Sequence, residues 1–341
     1  MSTTYERKWE TKQRGGRSAL DETDRSYYDI PVIHKPHWKW LIIVYFFLGG
    51  ISGASYTIAS IARLFEDSDN RRIIRAGYYI SFAALIPSPI LLILDLGRPE
   101  RFHHMLRILK IRSPMSVGSW ILTVFGPFSF LSALMQAAHD GLLGHGTALT
   151  RFLRGLPARA IGAMGIVPGF SLAGYTGVLL AITAVPLWTK NYLLMGPLFL
   201  ASAVSNATAA ITLSLSLTRG TSHRTLERLE RLEVIALLAE MSLLFSNRAR
   251  LDPVIARPLV EGRTGLVYRG GVLGLGMSVP LALHAKSVFL GKRSSRGTIV
   301  VASALTLISG FLFRYVMVIA GRDSADDPKA TYELAKGSDL T

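Results

Sequence analysis

The chain has 341 residues, half of them hydrophobic, no cysteine, and a formal net charge of +15. The lack of cysteine excludes disulfides, cysteine-ligated zinc and cysteine-ligated iron–sulfur clusters within this chain. The positive charge does not point to nucleic acid, because Lys and Arg fall between apolar blocks and form no basic face interleaved with aromatics.

Residues 1–37 are polar and lack the apolar core of a signal peptide. Residues 1–25 read as a solvated tail. From Tyr27 the mix turns to aromatics, Pro and His, as expected of a segment lying at the membrane interface. Eight apolar segments follow, at about 39–64, 73–96, 115–138, 162–187, 192–217, 225–247, 266–290 and 298–320. Each reaches the roughly 20 residues that a helix needs to cross a bilayer. The sixth is strongly apolar only from Val234 to Phe245, so it crosses only if it starts near Thr225 and turns its acids toward other helices. The stretch 146–161 reads as an interfacial connector and 322–341 as a polar C-terminal tail.

The expected fold class is therefore all-α: a polytopic membrane protein with eight transmembrane helices over residues 38–321. The run Phe47–Ala54 is echoed at Phe199–Ala207, which would set two four-helix halves against each other. Gly97 and Pro99 after the second segment predict a left-handed helix end and a stop. Ser113 and Pro114 predict the start of the third. The i, i+4 pairs Gly49/Gly53 and Gly270/Gly274 predict close helix approach. Eight spans place both termini on one side of the cell membrane. That side holds the larger share of Lys and Arg, which favours cytoplasmic termini.

Ionisable groups inside a membrane are costly and therefore informative. Glu233 and Glu240 lie seven apart on one helix face. Glu240 and Arg314 suit either a proton path or structural ion pairing. Glu233, His284 and Lys286 fall near segment ends, which predicts snorkelling to the interface. Only His284 lies within a span, so a bis-His haem is not expected, and no HExxH, P-loop or triad-like pattern occurs. No metal site is expected.

The terminal side collects Tyr27, Tyr28, His34, His37, Trp38 and Trp40 before the first span. Asp95, Arg98, His103 and His104 follow the second, and Trp188, Lys190, Asn191 and Tyr192 join the fourth to the fifth. An aromatic belt accounts for the Trp and Tyr, but not for an Asp–Arg pair and histidines beside them. Stacking walls, hydrogen-bond donors and a titratable group suit a quinone head group.

The run Asp95–Phe102 (DLGRPERF), followed by Ser113–Trp120 (SPMSVGSW), resembles the signature of NrfD-like membrane subunits, which include the membrane subunit of polysulfide reductase. Trp40 through Gly50, Gly174–Leu180, Pro186–Trp188 and Arg314-Tyr315 with Gly321 extend the likeness over about residues 27–321. The resemblance implies an eight-helix subunit that exchanges electrons with menaquinone or ubiquinone and holds no redox cofactor of its own. Its partner would be an iron–sulfur protein attached to a molybdopterin catalytic subunit, with membrane lipid around it and no nucleic acid. Tyr28, His37, Trp40, Asp95, Arg98 and Trp188 are the expected quinone contacts, and Glu240 and Arg314 the expected proton path. A transporter-like or proton-conducting subunit, and a pure membrane anchor, are the alternatives.

Overall fold

The computed structural model describes residues 33, 36–65, 70–144, 146–218, 220–290 and 294–336, with side chains omitted for 286–290. Among them every regular element is helical. Eight long helices follow in order: α1 (Trp40–Leu64), α2 (Asn70–Leu94), α3 (Pro114–His139), α4 (Ala158–Ala181), α5 (Tyr192–Leu217), α6 (His223–Ala249), α7 (Gly262–Ala285) and α8 (Arg296–Asp326). Short helices at Ala148–Gly155 and Pro253–Val260 fill two of the connections, and Pro328–Lys336 follows α8. The C-terminal segment read as a polar tail is thus helical as far as Lys336.

Seven of the eight helices are long and apolar enough to cross a bilayer. The exception is α6, whose first half carries Glu227, Arg228, Glu230, Arg231 and Glu233. Seven of the eight expected spans are thus met on length and composition among the described residues, and α6 is the eighth long helix of the bundle. The charges of α6 do not all face outward: Glu230, Glu233 and Glu240 are buried against other helices. The helix also runs back alongside α5. The Asn191 amide at the start of α5 donates to the Asn247 carbonyl at the end of α6 at 2.7 Å, and Lys190 pairs with Asp252 at 3.0 Å.

The apolar stretches of α1 and α5 are 72% and 67% buried, against 28% for α2 and α7, so α1 and α5 form the centre and α2 and α7 the rim. Lipid is as apolar as leucine, so packing between such helices depends on how closely backbones approach. At the crossing of α1 and α4, a methyl group on Gly53 would overlap the Gly169 carbonyl oxygen and press on the Ala173 backbone nitrogen. Ser52, Ser55 and Thr57 line the same buried stretch of α1, and Ser52 donates to the Ser81 carbonyl on α2 at 2.8 Å.

Proline and glycine explain the irregular places. Pro87 lacks an N–H, and α2 restarts there after a turn at Ile86. Over Val267–Ser278 the glycine-rich start of α7 takes the wider π-helical pattern. Two expectations at helix ends change. Gly97 is not among the glycines with positive φ, so α2 ends without a left-handed cap. Ser113 precedes Pro114 at the start of α3 but makes no side-chain cap bond.

Both ends of the described residues meet at one end of the bundle, where the Arg322 guanidinium donates to the Trp38 carbonyl at 3.1 Å. We call this the terminal end.

Gly53→Ala is expected to destabilise the detergent-solubilised protein by about 1–3 kcal/mol, since the blocking atoms are backbone and cannot turn aside. Gly126→Ala on α3 meets nothing within 4 Å and serves as control. Thermal unfolding checks this: equal melting temperatures for the two variants would contradict the close-approach account.

Candidate functional site

Two groups of polar side chains stand out, one at the terminal end and one inside the bundle. At the terminal end the segment before α1 lies across the bundle. Trp38 stacks on Trp188 with ring centroids 5.4 Å apart and planes 18° apart. The Trp188 indole N–H donates to the Met317 carbonyl on α8 at 2.8 Å. Trp188 has no exposed surface, because Gly321 leaves room for its ring. It therefore supports the floor of this region through Trp38.

The other expected contacts are spread around that floor. Tyr28 lies outside the described residues. His37 and Arg98 are exposed, and Trp40 is 64% exposed. Asp95 is half-buried where α2 ends. Burial pushes its carboxyl group above the usual carboxylate range, and the Lys39 ammonium at the start of α1 opposes that shift. The structure thus brings Asp95 and Lys39 together between the end of α2 and the start of α1, with the exposed Trp40 next to Lys39 in the chain. It does not pair Asp95 with Arg98, whose backbone turns away into the Pro99–Arg101 turn. The expected stop after the second segment is met slightly early, since the helix ends at Leu94.

The interior group centres on Arg314 of α8, which is buried. Its guanidinium donates to the Ser202 hydroxyl on α5 and, at 3.1 Å, to the Gly310 carbonyl. The Phe199 and Phe313 rings lie 5.6 and 5.5 Å from the guanidinium carbon, within cation–π range. One turn along α5, Ser205 donates to the Glu240 carboxylate on α6 at 2.7 Å. Glu240 and Arg314 are therefore linked through two serines and make no direct ion pair within 4.0 Å.

A second carboxylate group lies further along α6. Glu233 accepts from Thr306 at 2.9 Å and from Ser303 at 3.3 Å, both on α8. His284 of α7 sits between Glu230 and Glu233, 3.6 and 3.7 Å from their oxygens. This corrects the expectation that Glu233 and His284 snorkel to the interface, since both are 0% exposed. The side chain of Lys286 lies outside the described set. Ser202, Ser205, Glu230, Ser303 and Thr306 did not stand out in the sequence. The signal was present: residues 230, 233, 237, 240 and 244 recur on one face of α6, and all are buried.

The family model described as "Polysulphide reductase, NrfD" matches residues 32–323. The chain belongs to the NrfD family.

Relatives agree along nearly their whole length. The C chain of polysulfide reductase from Wolinella succinogenes is 26% identical over 302 residues, which is 84% of the present protein and 94% of that relative. An NrfD homologue of Haemophilus influenzae is 26% identical over 320 residues, covering 86% and 98%. Protein NrfD of Escherichia coli is 25% identical over 307 residues, covering 84% and 95%. The motif pair that carried the resemblance, Asp95–Phe102 and Ser113–Trp120, falls in this NrfD protein at the end of α2 and the start of α3. Among the described residues there is no group of three or more His, Asp or Glu that could hold a metal ion.

A double-mutant cycle tests the linked interior charges. Arg314→Met alone leaves Glu240 buried without a cation and should cost about 3–5 kcal/mol. The double variant Arg314→Met/Glu240→Gln should recover part of that loss in thermal unfolding. Strictly additive losses would show that the two charges act independently.

Proposed function

We propose that this NrfD-family protein is the quinone-linked membrane subunit of a multi-subunit oxidoreductase. In this reading it exchanges electrons between menaquinone or ubiquinone and an iron–sulfur partner subunit, itself attached to a molybdopterin catalytic subunit. The observation that carries the reading is the terminal-end neighbourhood of Asp95, Lys39 and Trp40, placed at the family's own motif. It offers an aromatic wall, a cation and a carboxyl group whose affinity for protons is raised by burial.

Quinone is a substrate here, and the protein's residues perform three tasks on it. Trp40 offers its exposed indole as a wall for the head group or its apolar tail. Lys39 supplies a donor for a quinone carbonyl. Asp95 exchanges the proton that must move when the head group gains or loses electrons. His37, Arg98 and Tyr28 are further contacts in this reading, and Trp188 acts from below by holding Trp38. The iron–sulfur partner docks at the terminal end, because electrons need a short path from cluster to quinone. The same reading places the terminal end in the cytoplasm.

A second reading rests on a separate observation. Glu230, His284, Glu233, Ser303 and Thr306 form one buried polar group, and Ser205, Glu240, Ser202 and Arg314 another. Along α6, Glu233 and Glu240 stand about 10 Å apart. This spacing suits a proton path from the membrane interior toward the terminal end, with or without quinone chemistry.

Asp95→Asn keeps size and hydrogen bonding and removes the titratable proton. Quinone turnover in the purified complex should fall about tenfold or more, within the usual range for a general acid or base. Electron transfer from the catalytic subunit to a soluble acceptor should persist. In quinol oxidation the carboxylate is the working form, so the native rate should rise as pH climbs through the raised pKa. In quinone reduction the protonated form works and the rate should fall over the same window. The Asn variant should lose that limb. Normal turnover with an unchanged pH profile would remove Asp95 from the proton route and favour a plain anchor.

A further inference from the structure

A cavity at the end of the bundle opposite the termini carries a charge pattern that electron transfer does not use. Its volume is about 500 Å³, and it is lined by Arg63, Arg71, Arg72, Arg75, His139 and Asp140, with Ile74 and Gln136. These come from the last turn of α1, the first turns of α2 and the last turn of α3. Basic residues between helices are common at membrane surfaces. Convergence of four arginines on one cavity is a different matter.

The carboxylate within it is already engaged. Asp140 pairs with the Arg75 Nε at 3.0 Å, accepts from the Tyr79 hydroxyl at 2.6 Å, and accepts from the Gln136 amide at 3.1 Å. Arg63 reaches the Gln136 carbonyl oxygen at 2.7 Å and lies over the Tyr78 ring, with 5.1 Å from its guanidinium carbon to the ring centroid. Its Nε is buried and finds no acceptor among the described residues. Arg71 and Arg72 are exposed, and neither has a carboxylate partner among the described residues. Glu66, Asp67 and Asp69, which precede them in sequence, lie outside that set.

Backbone electrostatics add to the excess. Asn70–Leu85 is a 16-residue helix with no acidic residue in its first turn. Its partial positive charge therefore falls beside Arg71 and Arg72, the reverse of the usual arrangement. Among the described groups the cavity is a place of mutual repulsion. A bound anion would relieve it and satisfy the free donors, and guanidinium forks match phosphate oxygens.

We propose that this cavity binds a phosphate-bearing anion, either the headgroup of an anionic phospholipid or free phosphate. The full-length protein, purified in a zwitterionic detergent at low ionic strength, tests this by thermal unfolding. The probes are short-chain phosphatidylglycerol, inorganic phosphate and short-chain phosphatidylcholine. Phosphatidylglycerol should raise the melting temperature in a saturable manner, and phosphatidylcholine should not.

Arg71→Gln/Arg72→Gln should weaken apparent affinity by about fivefold for each arginine removed. Without ligand the same variant should melt no lower than the native protein, because it loses only repulsion. A lower melting temperature would mean that the neighbouring acids already neutralise the pair, and would count against the proposal. Arg151→Gln/Arg224→Gln, two exposed arginines outside the cavity, should leave the ligand shift unchanged. A shift by phosphatidylglycerol alone identifies a lipid headgroup, and a shift by inorganic phosphate as well identifies the phosphate group itself as the determinant. No saturable shift with either would overturn the proposal. So would equal losses in the two double variants, which would mark the response as general surface charge.

Discussion

A guanidinium sealed inside a membrane bundle is the constraint on which the rest of this structure turns. Among the described residues that are fully buried, only Trp188 has a larger side chain than Arg314. A charge at such a place is expensive unless its donors are met. The neighbours meet part of that need: Ser202 and the Gly310 carbonyl accept from Nη1, Gly50 of α1 leaves space beside the far nitrogen, and the buried Nε finds no acceptor among the described residues. The same face of α8 continues in both directions. Ser303 and Thr306 meet Glu233 on one side of Arg314, while Met317, Gly321 and Ser324 meet Trp188 and Leu187 on the other. That face runs about 30 Å, close to the thickness of the hydrocarbon core.

Because α8 touches both polar groups, it couples them mechanically as well as chemically. Fixing Arg314 against α5 fixes the register of α8, and that register sets Gly321 under Trp188. Trp188 in turn carries Trp38, the segment that leads into Lys39 and Trp40 beside Asp95. The terminal-end neighbourhood thus stands on a rigid floor whose position is determined near the middle of the membrane. A site that must hold a head group in reach of an external electron carrier benefits from such a floor, since loops alone would leave it mobile.

Much of this was legible in the amino-acid order. The apolar run 192–217 corresponds to α5 residue for residue, and Gly53 sits where two backbones nearly touch. Local order failed where burial depends on a distant partner. Trp188 reads as an interfacial aromatic, yet Gly321, far away in sequence, gives its ring a closed pocket. Glu233 and His284 read as surface-seeking because they lie near segment ends. Each in fact meets the other between α6, α7 and α8. The charge-rich start of α6 reads as a poor span for the same reason: hydropathy counts charges without knowing which face they occupy. Asp95 and Arg98 read as an Asp–Arg pair, but the helix stops at Leu94 and Arg98 opens the separate Pro99–Arg101 turn.

The central claim is that this protein connects a membrane quinone to its partner subunits. The most direct measurement compares the intact purified complex with the same complex stripped of this subunit, using a water-insoluble quinol analogue and a soluble redox dye in parallel. The account predicts that quinone-linked turnover disappears with the subunit and returns on reconstitution, while dye-linked turnover of the remaining subunits is retained throughout. Undiminished quinone turnover in the stripped complex would contradict it.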